Sequence, residues 1–427
     1  MKLKHYLLCA LVALTAFNAA ALEKLFVLDK GLWQSDNGRL SYFENGAMVS
    51  NQLFLDVNKQ KLGDTPNDII QISDHLFAIA VNGSSLVQFI DETGKAMGTS
   101  GEIANVRYLA SDGKYVYATS YAHTCATASG TMDFTRGFVA KIDIATKETV
   151  TAVEVGYEPE SLVLYNGRLF VANSGGYSYS ESHDYEQTVS VVDPETMKVV
   201  RTVDTGKINL YGQMALLDNY LCISSCGDYY STPACTVLLD CDAVLAGKPD
   251  ADCVRTLPSV CTFCTAGKDC FYTVGSTFNY TTSQNTFEFN TIRPAEVFSN
   301  ANTGVTATLP GTMCDDIKKM KQPNFLYMNP YTGYFYATDA GDYTTAGYLY
   351  QWDPEGKFLG SYRAYICPEN MVALPPDGHF GGVEDIVIDR PAADDPDAPV
   401  YNLQGIPVTD PVPGHVYIRN GRKFILR

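Results

Sequence analysis

One pattern of β-strands and turns repeats along this chain about every 50 residues. The clearest copy opens at Pro159 and runs through an apolar strand, an Asn-Gly turn, a second strand, a polar loop and a third strand that ends in Asp193. The same order follows Pro66 and Pro323. Weaker copies begin near four other positions, Ala104, Leu210, Pro258 and Pro368. Because one such unit cannot bury its apolar faces alone, repeats of this length predict the four-stranded blades of a propeller.

Seven units fill the chain, and the seventh is expected to be split between its two ends. Residues 371–374 would form the inner strand of that blade, and residues 25–28, 39–43 and 51–57 its three outer strands. Pairing the two ends removes the free edges of the first and last blades. The sequence therefore predicts an all-β fold, a seven-bladed β-propeller with N/C-terminal closure of the last blade, followed by a short β-rich C-terminal tail.

The first 21 residues have the features of a signal peptide. Lys2 and Lys4 form a basic start, residues 6–17 form an apolar run too short to span a bilayer, and small residues follow at 19–21. No later run reaches the length of a membrane span. We therefore expect export without a transmembrane segment, with the propeller occupying residues 22–390.

The C-terminal end is expected to form a separate appendage. Residues 391–399 are rich in Pro and Asp, which favours an extended linker. Residues 400–427 then show short strand-like runs around the Asn420-Gly421 turn. This tail resembles the C-terminal sorting segment of type IX secretion in Bacteroidetes. A small β appendage that packs on the propeller is the alternative.

The charge of the chain excludes one class of partner. There are 31 Lys and Arg against 48 Asp and Glu, which gives a formal net charge of −17. No basic cluster is present that could neutralise a row of phosphates. We therefore expect no nucleic-acid partner.

The repeat also carries a family resemblance. The strand that ends in Asn173, followed by the strand at residues 188–193, resembles the YVTN or YncE-like propeller repeat, over about residues 24–375. The segments at 173–177, 227–229 and 338–343 are similar to a pattern of exported propellers from Bacteroidetes-type bacteria. That resemblance implies a binding protein, because such propellers include surface proteins that capture corrinoids and pass cobalamin to an outer-membrane transporter. The chain departs from these in lacking a lipid-attachment cysteine.

Aromatic and polar residues are enriched in the loops between the second and third strands of the blades. These loops and the connections between blades emerge on one face of a propeller, around the mouth of the central channel. Tyr and Trp give rigid contact area, and Ser, Gly and Asn give adaptable hydrogen bonds, as in a paratope. The candidate ligand-binding residues in these loops are Trp33, Asn37, Tyr121, His123, Tyr177, Tyr179, His183, Tyr229, Tyr230, Tyr280, Asp342 and Tyr343. The alternative is that these loops only cap the blade ends.

A second group of candidates begins the innermost strands and is expected to point toward the channel entrance. Its members are Asn67, Asn105, Arg107, Glu158, Tyr211 and Asn324. Arg107, the one cation among them, would attract a phosphate or carboxylate or would pair with a neighbouring acid. We interpret Glu158 and Glu160 as a carboxylate pair that keeps a strand edge solvated.

The chain has 12 cysteines, and eight of them lie between Cys222 and Cys270. In an exported chain these predict disulfides or buried thiols. Cys261-x-x-Cys264 with Cys270 nearby also permits a zinc site, although no His lies in the cluster. We assign no metal here.

No catalytic constellation emerges from the sequence. Gly-x-Ser-x-Gly is absent, and His residues are few. We expect an exported, cell-surface or extracellular propeller, with the periplasm as an alternative location, that binds a small molecule without a cofactor or catalysis. Corrinoid capture for uptake is the specific expectation, by a monomer or by part of a surface complex with an outer-membrane transporter. The alternatives are an adhesin for protein or glycan, and a lactonase-type or lyase-type enzyme with metal ligands among Asn67, Asn105, Glu158 and Asn324.

Overall fold

The computed structural model describes residues 23–376 apart from positions 181, 280, 281, 283, 301 and 302, and also residues 400, 416–419 and 422–425. The expected signal peptide and linker therefore lie outside the described residues, as does most of the tail. No helix in the described ranges is long and apolar enough to cross a bilayer.

The described residues form strands and five short helices. The strands are β1 (Lys24–Asp29), β2 (Arg39–Glu44), β3 (Ala47–Ser50), β4 (Pro66–Ser73), β5 (Leu76–Val81), β6 (Leu86–Ile90), β7 (Ala96–Thr99), β8 (Val106–Ser111), β9 (Tyr115–Ser120), β10 (Thr124–Thr127), β11 (Gly130–Asp133), β12 (Phe138–Asp143), β13 (Thr149–Glu154), β14 (Pro159–Tyr165), β15 (Arg168–Asn173), β16 (Thr188–Asp193), β17 (Lys198–Asp204), β18 (Ala215–Leu217), β19 (Tyr220–Ser225), β20 (Cys235–Asp240), β21 (Val254–Leu257), β22 (Phe263–Ala266), β23 (Phe271–Asn279), β24 (Gln284–Ile292), β25 (Val305–Thr306), β26 (Pro323–Met328), β27 (Phe335–Asp339), β28 (Ala346–Trp352), β29 (Phe358–Ile366), β30 (Pro368–Ala373), β31 (Val416–Arg419) and β32 (Arg422–Ile425). The helices are α1 (Leu53–Asn58), α2 (Cys241–Leu245), α3 (Asp250–Cys253), α4 (Pro294–Ser299) and α5 (Met313–Ile317).

Seven antiparallel four-stranded sheets form the blades, which confirms the predicted seven-bladed β-propeller. From the inner to the outer strand, blades 1 to 7 are β4-β5-β6-β7, β8-β9-β12-β13, β14-β15-β16-β17, β18-β19-β20-β21, β22-β23-β24-β25, β26-β27-β28-β29 and β30-β1-β2-β3. The hairpin β10-β11 is inserted between the second and third strands of blade 2. In the separate unit at residues 378–427, β31 pairs with β32.

The ring closes through blade 7 as predicted. β30 pairs antiparallel with β1, with Val27 opposite Met371 and Leu25 opposite Ala373. The predicted outer strand at residues 51–57 was wrong, because Asn45 and Gly46 turn the chain with positive φ and start β3 immediately at Ala47. Residues 53–58 instead form α1, whose buried Phe54 joins the core between blades 7 and 1.

The inner strand of blade 5 also differs from its predicted start near Pro258. It begins at Phe263, because Val254–Leu257 is still the outer strand of blade 4. Residues 258–262 form the connection between the two blades.

The apolar core lies between the blades. Seven clusters of buried side chains are present among the described residues, and each joins two neighbouring blades. The ring of Phe26 in blade 7, for example, meets the ring of Phe77 in blade 1 edge-on at 5.4 Å. Each blade is therefore stabilised by its neighbours rather than by a core of its own.

The inner strands of blades 1, 2, 3, 6 and 7 share an irregularity where they begin. In each blade the pairing register with the second strand shifts by a β-bulge within the first few residues. A bulge leaves a residue unpaired and redirects its side chain. The residues within these bulges include Asn67, Arg107, Glu160, Asn324 and Glu369.

Asp68 follows the first of these bulges along the chain and links three blades. Its carboxylate accepts a hydrogen bond from the Leu109 N–H in blade 2 at 2.8 Å and from the Asn370 amide in blade 7 at 2.6 Å. Burial raises the pKa of Asp68 to about 7, although these hydrogen bonds act in the opposite direction. Asp29, buried in β1, has its pKa raised to about 7 for the same reason.

We predict that the stability of the propeller falls as the pH rises from about 4 to about 7. In that range folded Asp68 keeps a proton that the unfolded chain has released, so raising the pH favours unfolding. Asp68→Asn removes the titrating group and keeps an oxygen that accepts from Leu109, but its NH2 then faces the Asn370 NH2, which lowers stability at every pH. The melting temperature of this variant should therefore vary less with pH between about 4 and 7 than that of the wild type.

The matched control is Asp133→Asn, at an exposed position of β11, which should follow the wild-type pH profile. Thermal unfolding monitored by circular dichroism at several pH values gives the melting temperatures of the wild type and of both variants. An unchanged slope in the Asp68 variant would contradict the argument.

Candidate ligand-binding face

We define the binding face as the end of the propeller at which the inner strands begin and the loops between second and third strands emerge. The structure places the predicted loop residues at this end. Trp33 and Asn37 follow β1, Tyr121 and His123 follow β9, Tyr177, Tyr179 and His183 follow β15, Tyr229 and Tyr230 follow β19, and Asp342 and Tyr343 follow β27. Tyr280 lies outside the described residues. His123 is exposed, and its carbonyl oxygen accepts from the Phe134 N–H.

One residue at or shortly before the start of each inner strand forms what we name the channel ring. Its members are Asn67, Arg107, Glu160, Tyr211, Thr262, Asn324 and Glu369. The sequence predicted four of them and missed Glu160, Thr262 and Glu369. The signal that could have found the two acids is the proline that opens the inner strand, because Glu160 and Glu369 each follow such a proline directly, as Asn67 and Asn324 do.

Asn105 and Glu158, which were predicted at ring positions, precede the ring residues Arg107 and Glu160 of their blades. Both have a left-handed backbone, with φ of 51° and 40°. The carbonyl oxygen of Asn105 accepts from the Tyr121 N–H, and that of Glu158 from the Ser174 N–H. These residues therefore turn the chain into the blade and anchor the neighbouring loop.

Arg107 and Glu160 form a buried ion pair across blades 2 and 3. Arg107 Nη2 lies 3.3 Å and 3.4 Å from the two carboxylate oxygens of Glu160, which has no exposed surface. The expectation that Arg107 pairs with a neighbouring acid is confirmed. The interpretation of Glu158 and Glu160 as a solvated pair at a strand edge was wrong, because both are buried. Burial raises the pKa of Glu160, although Arg107 opposes the shift. Burial disfavours the charge of Arg107, but the Glu160 carboxylate together with Tyr211, Tyr108 and Glu369 outweighs burial and raises the pKa of the guanidinium.

The remaining contacts of Arg107 tie it to blades 1 and 2. Asn67 donates to the Arg107 carbonyl oxygen at 3.0 Å and accepts from Nη1 at 3.4 Å. The guanidinium also lies 4.8 Å from the centre of the Tyr121 ring, within the range of a cation–π interaction. Arg107 is therefore held on several sides before any ligand arrives.

A second ion pair stabilises the opposite part of the channel ring. Lys30, from the loop after β1, lies 2.5 Å from Glu369, and the Asn324 amide donates to the same carboxylate at 3.4 Å. Each ring carboxylate thus has one cation. The Glu160 carboxylate also raises the pKa of Tyr211, whose hydroxyl therefore remains a hydrogen-bond donor at neutral pH.

The blade 3 loop is fixed against this ring by Glu158 and His183. The Glu158 carboxylate accepts from the Tyr177 N–H at 3.2 Å and lies 3.4 Å from His183 Nε2. His183 stacks on Tyr157 with ring centres 3.9 Å apart. The Tyr177 ring meets Tyr121 edge-on at 5.3 Å, so the loop continues the aromatic contact that covers Arg107.

Two loops repeat the same turn in blades 4 and 6. Asp228 and Asp342 each accept from backbone N–H groups two and three residues later. The Ser231 hydroxyl and these N–H groups hold the pKa of Asp228 well below its usual range, and the backbone N–H groups of Thr344 and Thr345 do the same for Asp342. The next residues, Tyr229 and Tyr343, have φ of 63° and 62°. An L-residue in this conformation costs about 1 kcal/mol, and such strain concentrates at functional sites. Asp342 therefore shapes the turn that presents a tyrosine.

The outer rim of the binding face is aromatic and exposed. Trp33 is 60% exposed, Tyr179 79% and Tyr230 98%. Asn37 stabilises the first of these loops, because its side-chain oxygen accepts from the Leu32 N–H at 2.8 Å. Large exposed aromatic side chains beside fixed polar groups are typical of contact surfaces.

The predicted disulfides are not confirmed. The eleven cysteines from Cys125 to Cys367 are all free in the described structure. Three of them, Cys222, Cys261 and Cys264, lie within 4.8 Å of one another, and Cys270 is not part of this group.

We predict that Arg107→Met destabilises the protein by about 3 kcal/mol, because Glu160 is then left buried without its cation. Replacing both residues, as Arg107→Met with Glu160→Leu, should recover most of that loss, since the unpaired charge is gone. Urea unfolding measures the free energy of unfolding of both variants and of the wild type.

The matched control is the more exposed pair of Arg136 and Glu154, where Arg136→Met should cost less than about 1 kcal/mol. A double variant no more stable than Arg107→Met alone would show that the buried pair is not coupled.

Comparison with known proteins gives the fold alone. No protein-family model matches the chain, and no curated protein matches its sequence. The hydrazine synthase of Kuenenia stuttgartiensis is similar in structure, with a TM-score of 0.52 and 14% identity over 71% of this chain and 88% of that chain. A quinoprotein alcohol dehydrogenase-like protein of Bacteroides thetaiotaomicron is similar with a TM-score of 0.53 and 12% identity, over 83% of this chain and 78% of that chain. These likenesses support a β-propeller.

Proposed function

We propose that this chain is an exported, cell-surface propeller that binds a small molecule on the binding face and does no chemistry on it. One observation carries the proposal. The channel ring and the exposed aromatic rim lie at the same end of the propeller, one inside the other. Fixed polar groups surrounded by aromatic contact area are the usual composition of a small-molecule site.

The internal bonds of the channel ring support binding rather than a purely structural role. Asn67, Arg107 and Glu160 hold one another, as do Lys30, Asn324 and Glu369. Groups held in this way lose little conformational freedom when a ligand binds, so more of the interaction energy appears as affinity. The left-handed Tyr229 and Tyr343 add rigid contact area at a local cost in stability.

A corrinoid is the ligand class that we propose. Its wide, amide-rimmed macrocycle needs several hydrogen-bonding groups spread around a broad opening, and the ring offers amide and hydroxyl groups at Asn67, Tyr211 and Asn324. The net charge of the chain, −17, would not repel a cationic cobalt centre. The resemblance to YncE-like exported propellers of Bacteroidetes-type bacteria supports the same ligand, with delivery to an outer-membrane transporter.

An adhesin for protein or glycan is the second candidate. The observation in its favour is the near-complete exposure of Tyr230 and Tyr179, which would suit contact with a macromolecule beyond the channel mouth. A metal-dependent enzyme has less support. Asn105 and Glu158, two of its four expected ligands, precede the ring residues of their blades, and the Glu158 carboxylate is already held by the Tyr177 N–H and His183.

The corrinoid proposal predicts that cyanocobalamin and cobinamide raise the melting temperature of the full chain. A ligand at 100 times its Kd stabilises a protein by about 2.7 kcal/mol, which shifts the transition measurably. Tyr211→Ala, in the channel ring, and Trp33→Ala, in the rim, should each weaken binding at least about tenfold by isothermal titration calorimetry.

The matched control is Leu359→Ala, an exposed apolar residue of β29 in the outer strand of blade 6, which should bind like the wild type. Equal affinity in all variants would contradict a site on the binding face. Binding of a glycan or protein, without any shift from either corrinoid, would favour the adhesin.

A further inference from the structure

Three cysteines from two blades meet at a point that the proposed function does not use. Cys222 lies in β19, the second strand of blade 4, and Cys264 in β22, the innermost strand of blade 5. Cys261 lies in the connection between these blades. The fold therefore brings Cys261-x-x-Cys264 against a strand about 40 residues earlier in the chain, which no local spacing could indicate.

The three thiols are close together and buried. Their Sγ atoms all lie within 4.8 Å of one another, and exposure is 0% for Cys222, 1% for Cys261 and 6% for Cys264. Sulfur ligands of one ion at about 2.3 Å lie roughly 4 Å apart, so small side-chain adjustments would suffice. The surrounding core is apolar, and it includes Phe271, Leu238 and Ile292.

We propose that these three thiols form a site for monovalent copper. The group contains sulfur alone, without a His, Asp or Glu ligand atom among the described residues. Soft thiolate ligands select Cu(I) or zinc, but structural zinc takes four ligands and the group supplies three. A three-sulfur site matches the low coordination number of Cu(I).

Cys226 lies on the side of the thiol group nearer the binding face. It follows the last residue of β19, at the end of that strand which reaches the binding face, and it is half-buried. Its Sγ lies 4.0 Å from Ser224 Oγ, and the Ser224 hydroxyl donates to the Cys261 carbonyl oxygen. A partly exposed thiol beside a buried site can pass a thiophilic ion inward by ligand exchange.

The experiment titrates the reduced full chain with Cu(I) under anaerobic conditions, in competition with bicinchoninate. Because other thiols can also bind copper, each variant is compared with the wild type. Cys264→Ser and Cys222→Ala should each lose one high-affinity equivalent of Cu(I). Cys235→Ser changes another buried thiol of blade 4 outside the group and should keep that equivalent.

Two measurements on the wild type keep the test independent of how the variants fold. X-ray absorption of the protein loaded with one equivalent should show only sulfur around copper, and the loaded protein should melt at a higher temperature. Nitrogen or oxygen ligands, equal loss in Cys235→Ser, or a disulfide within the group by mass spectrometry under non-reducing conditions would each overturn the proposal. Corrinoid binding by Cys264→Ser tests the binding face separately.

Discussion

Pairing of β1 with β30 is the constraint on which the rest of the propeller depends. Each blade buries its apolar faces only against its two neighbours, so an open ring would leave two faces and two strand edges exposed. The backbone pairing of β1 with β30 joins the two strand edges, and it brings the two exposed faces against neighbouring blades. Asp68 adds a polar contact at the same junction, where it joins blades 7, 1 and 2.

A closed ring brings the starts of seven inner strands around one channel, and the bulges there turn a structural repeat into a candidate site. In blades 1, 2, 3, 6 and 7 the bulges free one or two residues from sheet pairing, and these include the polar or charged ring residues of those blades. Glu160 and Arg107 are two of these residues. Both are charged and largely buried, and each compensates the charge of the other. Such a ring contributes shape and polarity more than stability.

The blades and the loops at the binding face could be predicted from the sequence, but the contacts between residues of different blades could not. Strand and turn periodicity is local, so seven blades and the closure could be predicted. The helix at Leu53–Asn58 was missed because its apolar residues also suit a strand, and only its packing beside blade 1 distinguishes the two. Glu160 was misjudged because its partner Arg107 is 53 residues away. The thiol group was hidden for the same reason, since Cys222 comes from a different blade than Cys261 and Cys264.

We expect ligand contacts to converge on the channel ring and its aromatic rim. Amide hydrogen exchange with and without saturating cobinamide measures this most directly, because it reports on every loop in one experiment. We expect cobinamide to slow amide exchange in residues 30–38 and 174–187 and at the starts of the inner strands. Protection confined to the turns at the other end of the blades, such as Asn166-Gly167, would contradict it.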